Sequence, residues 1–248
     1  MKTIIDNVAI EYEDEGEGPV LLMLHGWMNT LHSFDALVEQ LRGKYRIVRI
    51  DLPGFGHSEP PPGPWSVADY ATFVAHFIEK KGLKPATIIG HSFGGRVAIK
   101  GVGTGALVPE KLILIAAAGT AQRNTPRLAT YQAVAKVGKM IGVFLPPSTR
   151  EELRGKLYAH AGSDAAAAGE LADVFRVTVS EDLTDDAKHI GVPTLLLWGS
   201  LDQSTPLHDG ERLAKAIPGA ELRVYEHAGH PLHRERPREV AEAIRHFV

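Results

Sequence analysis

Between the apolar run Ala86-Thr87-Ile88-Ile89 and the helix-forming run Gly95-Arg96-Val97-Ala98-Ile99-Lys100 stand five residues, Gly90-His91-Ser92-Phe93-Gly94. A serine between two glycines at a strand-to-helix junction is the nucleophile-elbow pattern. The turn is so tight that the serine must take a strained backbone conformation. The glycines, lacking Cβ, let strand and helix close upon it. The hydroxyl is thereby lifted clear of the sheet at a helix N-terminus, where free N–H groups and the dipole favour negative charge. Gly-x-Ser-x-Gly occurs by chance in many chains, and here the flanking strand and helix give it weight.

A serine hydroxyl is a weak nucleophile. It needs a histidine base, and that histidine needs a carboxylate to fix its tautomer and steady its charge. With this elbow the chain order is Ser, then acid, then His. The apolar run Pro193-Thr194-Leu195-Leu196-Leu197-Trp198-Gly199 leads into Ser200-Leu201-Asp202. The run Glu221-Leu222-Arg223-Val224-Tyr225-Glu226 leads into His227-Ala228-Gly229-His230-Pro231. Asp202 and His230 are therefore expected as acid and base, each in a loop at the carboxyl end of a strand, where sites gather in open α/β sheets. The alternative place for the acid, after Lys111 to Ala116, reads Ala117-Ala118-Gly119-Thr120 and holds no carboxylate.

The chain has 12 histidines, so the choice of base needs reasons. His227 adjoins its strand too tightly to swing back over Ser92, and His233 lies near the start of the last helix. His230 sits between Gly229 and Pro231 in a loop able to bend. The spacing of His227, His230 and His233 suits metal ligation only on a helix, which Gly229 and Pro231 oppose. The reading calls for no metal and no cofactor. A competing role for Asp202 is a turn or helix-capping aspartate before Pro206.

Strand-like runs alternate with helical segments, which argues for a mostly parallel sheet. Thr3 to Tyr12 reads as an antiparallel pair around Asp6-Asn7, followed by strands Val20 to Leu24 and Tyr45 to Ile50. Ser66 with Asp69 resembles a capping box for a helix over Val67 to Lys80. A last helix is expected over Pro237 to Phe247. Between Gly119 and Ile190 the strand pattern pauses. Leu128, Tyr131, Val134, Ala135 and Val137 share much of a helix face. Pro146-Pro147 breaks that run, and Thr149 with Glu152 caps Leu153 to Tyr158. Leu171, Val174, Phe175 and Val179 belong to a third piece. An insertion of about 70 residues is too long for a plain connection.

These segments together resemble the α/β-hydrolase family, in its capped single-domain form. Two more stretches carry the likeness: Leu24-His25-Gly26-Trp27 after Val20-Leu21-Leu22-Met23, and Asp51-Leu52-Pro53-Gly54-Phe55-Gly56-His57-Ser58. The resemblance runs over nearly the whole chain in order. It implies an α/β-hydrolase core over 1–119 and 191–248, with a mostly parallel sheet flanked by helices, and a helical cap over 120–190. It also implies an oxyanion hole from the backbone N–H groups of Trp27 and Phe93. Such fixed donors stabilise a tetrahedral alkoxide by about 3–4 kcal/mol each. His25 is expected to brace the oxyanion loop, and Asp51 to order its own loop. His91, Tyr131, Met140 and Phe144 are candidates for the substrate pocket.

Composition sets the bounds. At 248 residues the chain can hold one large core, burying roughly 70–75% of its unfolded surface. Net charge is −3, from 27 basic and 30 acidic residues, which gives no footprint for nucleic acid or anionic membrane. No cysteine is present, so disulfides and thiol catalysis are excluded. Asp6 comes too early for a signal-peptide core, and no apolar run is long enough to span a bilayer. A cytoplasmic placement is expected, with a small-molecule ester as partner, and the sequence carries no signal for oligomeric state.

The leading expectation is a serine carboxylesterase acting on small to medium chain esters through an acyl-enzyme. The apolar residues Met140, Ile141, Val143, Phe144 and Leu145 fit an apolar site or serve simply to pack the cap. Three related activities stay open on the same triad: a carbon–carbon hydrolase of the meta-cleavage type, a lactonase and a perhydrolase. The first commonly carries Asn before the serine, where His91 stands. A low-turnover ligand-binding protein is the reading from another class.

Overall fold

The structure is a computed structural model and describes residues 1–120 and 171–248. Eight strands form one sheet: β1 (Lys2–Ile5), β2 (Val8–Glu15), β3 (Val20–Leu24), β4 (Arg46–Ile50), β5 (Pro85–His91), β6 (Lys111–Ile115), β7 (Thr194–Gly199) and β8 (Glu221–Tyr225). Their spatial order is β1-β2-β4-β3-β5-β6-β7-β8. β1 pairs with β2, and β2 with β4, antiparallel; every later pairing is parallel. The β1–β2 turn at Asp6-Asn7 has φ of 47° and 64°. Two successive residues at positive φ are what a tight hairpin needs.

The central strands are apolar at consecutive positions because helices cover both sides. Leu21 and Met23 enter one core with Ile89, Ile113, Ile115, Leu195 and Leu197. Their neighbours Leu22 and Leu24 enter the other with Ile88, Leu112, Leu114 and Leu196. This is the period-two alternation of a strand. Helices α1 (Asp35–Leu41) and α8 (Pro237–Phe247) contribute Leu37, Val38, Leu41, Val240 and Ile244 to the first core. Helices α2 (Val67–Lys80) and α3 (Phe93–Gly103) contribute Tyr70, Phe73, Phe77, Val97 and Ile99 to the second. Each fully buried aliphatic or aromatic side chain here contributes about 1.5–3 kcal/mol.

The capping box forms in full. Ser66 Oγ accepts from the Asp69 N–H, and the Asp69 carboxylate accepts from the Ser66 N–H. The expected helix starts and ends at Val67 and Lys80, and the last helix at Pro237 and Phe247, as the sequence indicated. Four short helical pieces went unread in the sequence: a 3₁₀ turn at Leu31–Phe34, α1, α6 (Leu207–Ala216) and α7 (Leu232–Glu235).

Of the expected insertion, the structure describes α4 (Ala172–Ser180) and α5 (Thr184–Ala187). Val174 of α4 is buried, in keeping with the helical reading of that stretch. The pocket candidates Tyr131, Met140 and Phe144 lie outside the described residues, as do the Leu128–Val137 face and the Thr149–Glu152 cap. The segment after α4 is fastened to α3. Arg96 donates to the Glu181 carbonyl at 2.6 Å, and Lys100 pairs with Glu181 at 2.7 Å and Asp186 at 2.9 Å. Burial draws the Arg96 guanidinium down to about 10, against the charges of Glu181 and Asp182. Among the described residues, no helix is long and apolar enough to cross a membrane.

One topological fact positions the site. β3 continues through α1 to β4 on one side, whereas β5 lies on its other side. The carboxyl ends of β3 and β5 therefore flank the point where the chain changes direction, the crevice where open α/β sheets bind ligands.

Candidate active site

Ser92 is the residue between β5 and α3, with φ 49° and ψ −109°. This region is unfavourable for a residue with a Cβ, and the surroundings enforce it. The Ser92 N–H donates to the Ile115 carbonyl at 3.1 Å, and its carbonyl accepts from the N–H groups of Arg96 and Ala118. A Cβ on Gly90 would lie 2.6 Å from the Gly94 carbonyl oxygen and from Gly95 Cα; one on Gly94 would lie 2.1 Å from the Leu24 carbonyl oxygen. Only glycines allow this approach of strand and helix. Ser92 stays partly exposed between the buried His91 and Phe93.

Asp202 and His230 meet. His230 Nδ1 lies 2.8 Å from Asp202 Oδ2. The acid's other oxygen, Oδ1, accepts from the N–H groups of Ser204 and Thr205 at 2.8 and 2.9 Å. The aspartate-capped turn weighed against a catalytic role is thus present, made by Oδ1, while Oδ2 of the same carboxylate faces His230. The two loops are laced together, since Ser200 N–H donates to the Tyr225 carbonyl and Leu201 N–H to that of Ala228. Because a carboxylate only accepts, Nδ1 carries the proton and Nε2 is left as the basic nitrogen.

Thr205 is the residue that sequence reading missed. Its hydroxyl lies 2.9 Å from Asp202 Oδ2, 3.2 Å from His230 Nδ1 and 3.1 Å from the Ala116 carbonyl. Its position three residues after the acid, in a turn, was the available signal.

No hydrogen bond joins Ser92 Oγ to His230. The two segments are linked instead through the neighbouring residue. His91 Nε2 lies 3.3 Å from the His230 carbonyl, and the His91 and His230 ring centroids are 4.9 Å apart. Expected in the pocket wall, His91 is instead 2% exposed. Ser92, Asp202 and His230 thus all follow the carboxyl ends of parallel strands, β5, β7 and β8, with β6 lying between β5 and β7.

A sequence model of the alpha/beta hydrolase family matches residues 21–243. The chain belongs to the alpha/beta hydrolase family. A pimeloyl-[acyl-carrier protein] methyl ester esterase of Neisseria meningitidis is 29% identical over 91% of each chain. An uncharacterized hydrolase of Bacillus subtilis, YugF, is 26% identical over 98% of this chain and 96% of its own. Among solved structures, an esterase from Exiguobacterium antarcticum superposes with a TM-score of 0.77 at 25% identity, covering 100% of this chain and 99% of that one.

In this α/β hydrolase the loop after β3 is braced by His25. Its Nε2 accepts from the Leu52 N–H at 3.0 Å, and its Nδ1 donates to the Gly26 carbonyl at 2.8 Å. Complete burial lowers its pKa, opposed by the Gly26 bond and the Asp51 charge. The His25 carbonyl in turn accepts from the Gly94 N–H at 2.9 Å, so the loop is clipped to the first turn of α3. Asp51 orders the neighbouring loop through the N–H groups of Leu31 and His57. Among the described residues, the N–H groups of Trp27 and Phe93 have no hydrogen-bond acceptor. Their rings pack edge to face at 5.2 Å, and Phe175 of α4 lies 5.0 Å from the Trp27 ring.

One group of described residues has ligand-like spacing for a cation: Glu11, Asp51 and His57, with donor atoms within 4.8 Å of one another. Its atoms already serve each other. His57 Nδ1 sits 2.8 Å from Glu11, and both Asp51 oxygens take backbone N–H groups.

Proposed function

We propose that this α/β hydrolase cleaves carboxylic esters of small to medium chain length through an acyl-enzyme on Ser92. The observation that carries this reading is the serine held at φ 49° at a helix N-terminus, together with an Asp202–His230 pair joined through Nδ1 and packed against the residue next to that serine. Ser92 Oγ attacks the ester carbonyl while His230 Nε2 takes its proton. Asp202 holds the imidazole and steadies its positive charge. The tetrahedral oxyanion is received by the N–H groups of Trp27 and Phe93, and its collapse expels the alcohol, which takes the proton from His230. Water, activated by the same imidazole, then releases the acid and frees the serine.

The esterase relatives support the ester as substrate: one is named for a methyl ester, the other simply as an esterase. Residues 120–190 are the proposed cap and the source of most pocket-lining side chains. The placement of Phe175 on Trp27 supports this, since it sets α4 directly against a proposed oxyanion residue.

The deciding experiment is a panel of nitrophenyl esters of increasing acyl length and of lactones, run on wild type beside Ser92→Ala. Hydrolysis strongest on short and medium esters and abolished by the substitution is the expected result. Preference for lactones would replace the substrate, and background turnover on all of them would overturn the enzyme.

A further inference from the structure

His91 precedes the serine, and its imidazole has a task that the ester mechanism above does not use. The ring is 2% exposed and lies against two others: that of His230, with centroids 4.9 Å apart, and that of His233, at 4.4 Å. His91 Nε2 faces the His230 carbonyl at 3.3 Å. A carbonyl only accepts, so Nε2 carries the hydrogen. His91 Nδ1 is buried without a partner, and a Cβ on Gly26 would fall 2.8 Å from it. The glycine of the oxyanion loop thus makes the room that the ring occupies. A second proton on Nδ1 would bury an unpaired N–H together with a charge, which is strongly disfavoured.

We propose that His91 is a positioning residue for the base: its Nε2–H holds the carbonyl of His230, and its ring backs the His230 imidazole, fixing the base loop to the nucleophile strand. This deepens the proposed hydrolase function and rests on it. The tether joins the last residue of β5 to a loop 139 residues away in sequence. No hydrogen bond through Ser92 makes that connection.

The design also calls for a donor that stays neutral. The titratable groups around His91 are His233, His230 and His25. Burial, then the charges of His233 and His230, hold its pKa well below the ordinary histidine range. His91 therefore remains uncharged while His230 gains and loses its proton. A second cation at 4.9 Å would oppose that step.

The test combines kinetics and spectroscopy on the whole protein. His91→Phe fills the space without a donor. His91→Gln returns an amide N–H near the position of Nε2. On 4-nitrophenyl acetate, His91→Phe should lower kcat about 10- to 100-fold, with KM changed by less than about threefold, as expected for a misplaced base. It should also move the acid limb of the kcat profile. His91→Gln should recover at least about fivefold of the lost kcat, and His91→Met replaces the Phe variant if that protein does not fold. Equal kcat in the Gln and donor-free variants, or wild-type kcat in the latter, overturns the tether. Imidazole ¹⁵N spectra of the wild type give an independent answer. Protonation at Nε2 alone between pH 5 and 8 is expected, and an Nδ1–H tautomer or a titrating His91 ring overturns it. Labelling of Ser92 in the wild type by a fluorophosphonate keeps the two ideas separate. If labelling and ester turnover both fail, the hydrolase reading falls, whereas labelling and turnover with indifferent His91 variants defeat the tether alone.

Discussion

The Thr205 hydroxyl stands 2.9 Å from Asp202 Oδ2, three residues along the same loop. That contact gives the acid a third support beside the N–H groups of Ser204 and Thr205. The hydroxyl has one hydrogen and two acceptors in reach, Asp202 and the Ala116 carbonyl. Thr205→Val keeps the volume and removes the hydroxyl. A loss of about 1 kcal/mol of support should lower kcat about fivefold, measured at constant pH, and less than Asp202→Asn does. An unchanged rate would mean that the hydroxyl serves Ala116 instead.

Ser92→Ala should lower turnover by a factor on the order of 10⁶, as in comparable triads. Its fold should persist, because the elbow is held by backbone bonds and glycines rather than by the hydroxyl. Ser92→Gly offers a sharper test of strain. Both variants lack the hydroxyl, but glycine accepts a φ of 49° freely. Urea unfolding should find the glycine variant about 1 kcal/mol more stable than the alanine one.

Gly94→Ala adds a methyl group 2.1 Å from the Leu24 carbonyl oxygen, a rigid neighbour at the end of β3. The first turn of α3 must then move off the sheet and release the His25 carbonyl. A destabilisation of about 3 kcal/mol or more is expected. Ester turnover should fall with it, and a thermal midpoint equal to that of wild type would contradict this packing.

Three buried histidines make stability depend on pH. Burial, with the charges of Arg234 and His230, lowers His233 to about 3, and burial lowers His25 and His91 as well. In the unfolded chain each accepts a proton near pH 6.5. The folded state refuses it, so the stabilisation is complete above that pH and is lost as pH falls through the lowered folded-state pKa, which for His233 is about 3. Between pH 7.5 and 5.5 His233 should remove about 1.4 kcal/mol from the unfolding free energy, and His25 and His91 should act in the same direction. Urea titrations at the two values measure the sum. His233→Phe should shrink the difference by about 1.4 kcal/mol.

The sheet, the elbow and the capped helix Val67–Lys80 were legible because each rests on local chemistry. Gly90 and Gly94 announce close approach, Ser66 with Asp69 announces a helix start, and the apolar runs announce covered strands. Asp202 and His230 were picked out from chain order and from their places after β7 and β8, and the proposed triad rests on their 2.8 Å contact. What escaped the sequence was of a different kind. α6 begins after Pro206 with no side-chain cap, and the 3₁₀ turn at Leu31–Phe34 is likewise uncapped by a side chain. The role of His91 depends on the His230 carbonyl, a backbone atom of a distant loop, and no spacing in the sequence points to it. A histidine beside a serine reads as a wall of the site until its ring is seen turned inward.

The bonds from Arg96 and Lys100 to Glu181 and Asp186 give the chain a fixed re-entry point on α3, and Thr120 Oγ1, 2.6 Å from Asp209, fixes its departure. Whatever lies between those two anchors is joined to a scaffold that carries Ser92, Asp202 and His230, the groups of the proposed triad. Under the proposed function such a layout separates what is recognised from what is done to it. Grafting another family member's residues between the same anchors should carry over its taste in substrates and leave the rate on a minimal acetate ester in place.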